Sequence, residues 1–220
     1  MAPSLIPTAS RDLCQGALWH GDFESPAVPP KPLSGRRNTV FLALKPPALI
    51  ADRAYRIAQN VRDTRGLHCQ LVGPERLHVS LLGFDGPGVR SRGGIEALCH
   101  LASTVVMPQF RIDLNCMMSF GKKSDDDYNR PFVLAGNDET TAGIVILRRQ
   151  IIRTLRMAGC RAAIPTNFNP HMTLFWGQHD LGEQPIDELC WTARDFVLIH
   201  SFHGLGRHEV LGRWPLQATA

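Results

Sequence analysis

A short pattern whose side chains can carry out acid–base chemistry occurs twice in the sequence. It has the form His-x-(Ser/Thr)-Leu and is found as HVSL beginning at His78 and, 93 residues later, as HMTL beginning at His171. Imidazoles titrate near neutral pH, so one can serve as a general base and the other as a general acid. The hydroxyls of Ser80 and Thr173 can donate hydrogen bonds to the non-bridging oxygens of a phosphate. The pattern therefore indicates phosphodiester chemistry that needs no metal.

Both copies lie in segments that we predict to be β-strands, 76–84 and 170–177. Residues i and i+2 of a strand project from the same face, so each histidine points the same way as its hydroxyl residue. If two halves of the chain pack about a pseudo-two-fold axis, one cleft receives both pairs. About one chance match is expected among nine histidines. The matched context of the two copies nevertheless favours a shared site over two ordinary strand histidines.

Aromatic residues follow both copies of the motif. Phe84 comes after the first, and Phe175 and Trp176 come after the second. Such rings can stack on a nucleobase, at about 1–3 kcal/mol each. They are equally typical of a protein core, so the sequence leaves both roles open.

The elements around the motifs repeat one order of strand, helix and His-bearing strand. The first half has a predicted strand over 38–44 and a helix over 48–64, and the second half has a strand over 131–136 and a helix over 140–158. Further strands are predicted over 110–118, 195–202 and 208–216, and a further helix over 93–105. We therefore predict an α+β fold with two pseudo-symmetric lobes of mainly antiparallel sheet, flanked by helices, around a central cleft.

Composition excludes several classes of protein. Residues 1–36 contain six of the 16 prolines, which predicts a flexible leader before a domain over 37–220. No apolar run approaches the roughly 18 residues of a membrane span, so an integral membrane protein is not expected. The six cysteines form no CxxC pair, which excludes the common zinc and thioredoxin motifs. We predict reduced cysteines and a cytoplasmic location.

The remaining charged and histidine clusters are weaker candidates for a site. The net charge of +4 permits an anionic partner but is too small for a dedicated nucleic-acid coat. The arginines of the helix over 140–158 are expected to form a solvated face rather than an RNA contact. The histidines near the end of the chain are expected to be ordinary strand residues rather than metal ligands. These two sets are Arg148, Arg149, Arg153 and Arg156, and His200, His203 and His208.

Taken together, the motifs and the segments around them resemble the 2H phosphoesterase superfamily. The branch is that of RNA 2′,3′-cyclic phosphodiesterases, also known as 2′-5′ RNA ligases. The similar segments are VFLALKPP, ERLHVSLLGF, FNPHMTLFW and LIHSFHGLGRHEVLGRWPL, which together cover roughly residues 38–216. The resemblance implies that His78 and His171 are the catalytic pair, that Ser80 and Thr173 bind the phosphate, and that neither a metal nor a cofactor takes part.

Two departures from the family pattern lie beside the motifs. The second motif of the family commonly continues to a basic residue two positions after its leucine, where this chain has Trp176. The first motif usually continues Leu-x-Phe-Leu-Gly, where this chain has LLGFDG from Leu81. The residues implied for catalysis match the family, and the rim facing the substrate differs.

The expected function is opening of 2′,3′-cyclic phosphates at RNA ends to 2′-phosphates. The resemblance alone implies that His171 takes the proton from water and that His78 protonates the leaving 3′ oxygen. One alternative is the same chemistry on a small cyclic nucleotide or an ADP-ribose cyclic phosphate. Another is a non-catalytic module that binds RNA or nucleotides. The expected partners are RNA ends or cyclic nucleotides, with no membrane and no obligate protein partner.

Overall fold

The computed structural model describes residues 38–84, 87–120, 130–159, 167–178, 180–202 and 204–218. The predicted leader over 1–36 lies outside these ranges and stays a prediction. The strands are β1 (Thr39–Leu44), β2 (Val79–Phe84), β3 (Phe110–Ser119), β4 (Arg130–Ala135), β5 (His171–Gly177), β6 (Gln184–Ala193), β7 (Asp195–Phe202) and β8 (Arg207–Pro215). The helices are α1 (Ala48–Thr64), α2 (Pro87–Arg90), α3 (Arg92–Ser103) and α4 (Asp138–Met157), with a 3-10 turn at Pro74–Arg76. No helix in the described part is long and apolar enough to cross a membrane.

The eight strands form one sheet in the order β6-β3-β4-β5-β2-β1-β7-β8. Neighbouring strands in this order pair antiparallel. One large apolar core joins the helices to one face of the sheet. We call this the helical face and its opposite the open face. The predicted α+β class with mainly antiparallel sheet is confirmed.

The sheet divides into two related halves, β6-β3-β4-β5 and β2-β1-β7-β8, which meet where β2 pairs with β5. A shift of 93 residues carries β1 to 132–137, α1 to 141–157 and β2 to 172–177, which overlap β4, α4 and β5. This confirms the predicted pseudo-symmetry. The halves are not consecutive in the chain, however: β3 pairs with β4, and β7 returns to pair with β1.

Strand β6 is not predicted by the sequence pattern. This strand lies at the edge of the sheet and pairs with β3 alone. Its first five residues are exposed or half-buried, and only Leu189, Trp191 and Ala193 are buried. An edge strand with one buried face near its end shows little of the alternation that identifies a strand.

Helix α4 lies where the sequence predicts it, because its ends and its apolar face are all encoded locally. The side chain of Asn137 accepts a hydrogen bond from the Thr140 N–H at 2.9 Å and so caps the first turn. Gly159, with φ of +88°, ends the helix. Ile144 and Leu147 are fully buried on the helical face.

The predicted solvated arginine face of α4 is wrong for one residue. Arg148 is 6% exposed, and its Nε donates a hydrogen bond to the Leu81 carbonyl at 3.1 Å. Its guanidinium also lies 4.4 Å from the centre of the Phe168 ring. The other three arginines of the set are exposed, as expected. Arg148 therefore belongs to the packing behind β2 rather than to a surface.

Candidate active site

The join between the two halves brings the four predicted motif residues together. Val79 of β2 pairs with Met172 of β5, and both side chains are fully buried on the helical face. The residues on either side must therefore project from the open face. Continued by one residue in each direction, the antiparallel register sets His78 opposite Thr173 and Ser80 opposite His171. Each imidazole thus faces the hydroxyl residue of the other motif.

The two imidazoles are oriented in the same way. Nδ1 of His78 lies 2.7 Å from the Arg76 carbonyl oxygen, and Nδ1 of His171 lies 2.7 Å from the Asn169 carbonyl oxygen. A carbonyl can only accept, so each Nδ1 carries the proton of the hydrogen bond. In both rings Nε2 is left as the nitrogen that can gain or lose a proton.

A bulge one residue after each hydroxyl redirects the rest of the motif strand. Leu42 pairs with Leu82 and Ala43 with Ser80, so the pairing skips Leu81. In β5 the pairing passes from Thr173 to Phe175 and skips Leu174. A bulge turns the following side chains to the opposite face from the one that strict alternation predicts.

The bulges explain which aromatic predictions are wrong. Phe84 and Phe175 are each 2% exposed on the helical face, and Phe175 stacks on Phe132 with ring centres 4.6 Å apart. Neither ring can reach a base on the open face. Trp176 pairs with Pro131, two residues from the partner of Thr173, so it lies on the open face, where it is 37% exposed.

His78 lies between two other rings. Its ring centre is 4.8 Å from that of Phe41 and 5.4 Å from that of His208. Burial lowers the pKa of His78 from 6.5 to about 4, the hydrogen bond to the Arg76 carbonyl opposes this shift, and the nearby charges of His171, Lys45 and Arg76 add to it. At neutral pH His78 is therefore uncharged, with its Nε2 lone pair available to accept a proton.

His208 is a residue of this site that the sequence did not indicate. It lies on β8, three strands away from β2, which in a flat sheet would be about 14 Å. A ring separation of 5.4 Å therefore requires the β7–β8 hairpin to curl over the open face. The hairpin thus brings the His208 ring beside His78 on the open face. Burial, with His78, Arg76 and Lys45, lowers the pKa of His208 to about 3.

The other late histidines are not part of the same group. His200 pairs with Glu209 and His208 with Ser201, so the two histidines project from opposite faces of the β7–β8 ladder. His203 lies outside the described residues. The expectation that the late histidines are ordinary strand residues rather than metal ligands stays a prediction.

The surroundings of His171 differ from those of His78. The ring of Phe120 meets His171 edge to face, with centres 4.8 Å apart. Ala135 pairs with His171 and Val133 with Thr173, and both are buried. The described residues of the flank beyond β5 are therefore apolar.

One group of possible metal ligands lies among the described residues, away from the motifs. It consists of Asp113, Glu188 and Cys190 on β3 and β6. Arg111 donates hydrogen bonds to both carboxylates, to Asp113 at 2.7 Å and to Glu188 at 3.2 Å. The guanidinium already balances these charges, so the group has no part in the chemistry that we assign to the motifs.

Comparison with known proteins identifies the fold. No protein-family model matches the chain, and no curated protein matches it by sequence. Among solved structures, Escherichia coli LigT complexed with ATP is 21% identical with a TM-score of 0.62, over 83% of this chain and 99% of LigT. A protein from Thermus thermophilus is 20% identical with a TM-score of 0.64, over 83% and 100% of the two chains. A structure described as a phosphoesterase is 22% identical with a TM-score of 0.60, over 83% and 99%.

These likenesses show that the chain has the LigT-like fold of the phosphoesterases. The resemblance to 2H phosphoesterases that the motifs suggest is thereby confirmed at the level of the fold.

Proposed function

We propose that the protein is a metal-independent 2H phosphoesterase that opens 2′,3′-cyclic phosphates at RNA ends to 2′-phosphates. The observation that carries this proposal is the crossed arrangement of two histidines and two hydroxyl residues at the β2–β5 join. The shared Nδ1–carbonyl hydrogen bonds present two equivalent Nε2 atoms to one substrate. The LigT-like fold supports phosphodiesterase chemistry in general.

The geometry suggests how each group takes part. A water oxygen attacks phosphorus, its proton passes to Nε2 of one histidine, and the bond from phosphorus to the 3′ oxygen breaks. Nε2–H of the other histidine protonates that oxygen, which leaves a 2′-phosphate and a 3′-hydroxyl. Ser80 and Thr173 donate hydrogen bonds to the non-bridging oxygens as charge develops there.

The role of His78 is assigned from its own state in the resting protein. Because burial lowers its pKa, its Nε2 is unprotonated at neutral pH and can take the proton from water. His171 then acts as the acid. This is the reverse of the assignment that the family resemblance implies.

The first test replaces each histidine with alanine. His78→Ala and His171→Ala should each lower kcat for a short RNA with a 2′,3′-cyclic end by about 10²–10⁴-fold, which is the range for general acid–base catalysis. The wild-type rate should follow a bell-shaped pH profile and persist in EDTA. His100→Ala is the matched control because His100 is exposed on α3. Full activity of both site variants would refute the proposal.

A small cyclic nucleotide or an ADP-ribose cyclic phosphate is the second candidate substrate. Trp176 favours it, because a half-exposed indole stands on the open face where the family commonly has a basic residue. Escherichia coli LigT has also been crystallised with 3′-AMP. Assaying the cyclic mononucleotides beside the short RNA separates these candidates. Binding of both without turnover would instead indicate a non-catalytic module.

The cytoplasmic location stays a prediction.

A further inference from the structure

The His78 flank of the site carries positive charge close to the catalytic ring. Arg76 ends the 3-10 turn, two residues before His78. Its Nε is buried and has no hydrogen-bond partner in the described structure. A Cβ added at Gly206 would lie 3.4 Å from Nη1 of Arg76, so the guanidinium reaches the β7–β8 turn. Arg76 therefore spans the space between His78 and the hairpin that carries His208.

Lys45 adds a second cation on the same flank. Its Nζ donates a hydrogen bond to the Glu75 carbonyl at 2.6 Å, and no ion pair to it is found among the described residues. Burial lowers the pKa of Lys45, the charge of Arg213 lowers it further, and the charge of the nearby Glu75 carboxylate opposes both effects. Asp195, a carboxylate on the same side of the sheet, is paired with Arg213 at 2.6 Å. The charge of Lys45 is therefore not balanced by a direct carboxylate contact.

The two cations act on a common space. The charges of Lys45 and Arg76 both contribute to lowering the pKa of His78 and of His208. These four groups thus lie within electrostatic range of one another on the His78 flank of the site. An anion placed among them would meet two cationic donors and would relieve their mutual repulsion.

The described residues of the opposite flank are apolar. Beyond His171 the described open face presents the Phe120 ring and the buried side chains of Val133 and Ala135. Among the described residues, the cations that attract a second negative charge on the substrate therefore lie on the His78 side. An apolar base is better placed on the side of Phe120 and Trp176.

We infer that Lys45 and Arg76 form a subsite for a second phosphate, attached through the 5′ oxygen of the same ribose that carries the cyclic phosphate. This inference rests on the proposed function and narrows its substrate class. A nucleotide chain carries such a phosphate as a diester, an ADP-ribose cyclic phosphate carries it as a diphosphate, and a cyclic mononucleotide has none. The substrate then lies with its 5′ side on the His78 flank and its base on the Phe120 flank.

The experiment compares kcat/KM for adenosine 2′,3′-cyclic phosphate with and without a 5′-phosphate. The wild-type protein should prefer the 5′-phosphorylated substrate by about tenfold or more, since one charge-assisted hydrogen bond contributes about 1.5–3 kcal/mol. Lys45→Met and Arg76→Met should each remove most of that ratio. Arg153→Met, on the exposed side of α4, should leave the ratio unchanged.

The result distinguishes failure of the inference from failure of the proposed function. If neither substrate is hydrolysed, the proposed function fails. If both are hydrolysed at equal efficiency, or if the ratio survives in Lys45→Met and Arg76→Met, the subsite is overturned while the function stands. Two further substrates assayed in parallel identify which form of the second phosphate the subsite prefers. A dinucleotide with a cyclic end carries it as a diester, and ADP-ribose 1″,2″-cyclic phosphate carries it as a diphosphate.

Discussion

Each imidazole of the site is held by the carbonyl two residues before it, so two short backbone segments fix the direction of the proton transfers that we propose. A ring that donates through Nδ1 presents Nε2 to the substrate without a further positioning carboxylate. The hydroxyl residues need no such support, because each projects from the same strand as its histidine. The motif is thus a self-contained unit of one strand, and two copies complete the site.

Loss of either hydroxyl should slow the chemical step more than it weakens binding. Ser80→Ala and Thr173→Val each remove a donor to an oxygen whose charge grows in the transition state, so we expect kcat to fall by about 10²–10³-fold. Steady-state kinetics on the cyclic substrate measure this. Ser103→Ala, at the exposed end of α3, serves as the control. A loss confined to KM would show that the hydroxyls bind the ground state alone.

The buried histidines should make the fold sensitive to acid. The pKa values of His78 and His208 lie near 4 and 3 in the folded protein, against 6.5 as the ordinary value. The unfolded chain therefore binds more protons below pH 6.5, and the free energy of unfolding falls as pH drops from 6.5 towards 4. For one half-buried ring the loss is on the order of 1–2 kcal/mol.

Urea unfolding at pH 7 and pH 4.5 tests this sensitivity. His208→Phe keeps a ring against Phe41 and His78 but cannot titrate, so its loss of stability between the two pH values should be smaller than that of the wild type. Carboxylates contribute equally to both proteins and cancel in the comparison. His100→Gln, on the exposed side of α3, should behave as the wild type. Equal losses in wild type and His208→Phe would contradict the prediction.

The residues that sequence could predict are those whose roles are local. His78, Ser80, His171 and Thr173 follow from the i and i+2 geometry of one strand. Strict alternation would place Phe84 and Phe175 on the open face, and the bulges reverse that alternation after each motif. His208 comes into contact with His78 only through the curl of a hairpin three strands away. The residues around His208 in the sequence do not predict that contact.

Among the elements, the two bulged strands differ in how they are supported. The Leu174 carbonyl of β5 accepts a hydrogen bond from the Val72 N–H at 2.7 Å. The equivalent Leu81 carbonyl of β2 accepts from Arg148 Nε at 3.1 Å. A buried arginine side chain thus supports the bulge of β2 where a backbone N–H supports the bulge of β5.

Replacing Arg148 should therefore destabilise the protein. Arg148→Met keeps an unbranched apolar side chain but removes one buried donor to the Leu81 carbonyl, so we expect a loss of about 1–3 kcal/mol in the free energy of unfolding. Arg149→Met is a matched control, because this neighbouring arginine is exposed and should change stability by less than about 0.5 kcal/mol. Equal effects of the two substitutions in urea unfolding would show that Arg148 is dispensable to the packing.

Elements whose residue pattern and end residues are both marked in the local sequence could be predicted in position as well as in type. The helix predicted over 48–64 coincides with α1, and the strands over 195–202 and 208–216 correspond to β7 and β8. The sequence pattern does not predict that β3 pairs with β4, because strand partners depend on the path of the whole chain rather than on local periodicity.

At the scale of the whole molecule, the site depends on the core behind it. Within the sheet the two halves pair through Val79 and Met172, and the core on the helical face runs without a break from β6 to β7. A small cluster of Phe41, Ala43, Val197 and Ile199 is buried on the open face. The relative position of the two motifs is therefore set mainly by the shared helical-face core.

A continuous core predicts that the two halves unfold together. Trp191 lies on β6 in one half and Trp214 on β8 in the other, and both pack against the common core. Two single-tryptophan proteins report on the halves separately by their fluorescence. Each keeps one of these two residues and carries phenylalanine at the other three tryptophan positions. Each fluorescence unfolding curve should have one transition. For each protein its midpoint should coincide with the midpoint measured by far-ultraviolet circular dichroism, because neither half can unfold without exposing the core that it shares with the other. A tryptophan transition that precedes the loss of secondary structure would show instead that one half opens first, and the motif carried by that half would then lose its partner before the protein unfolds.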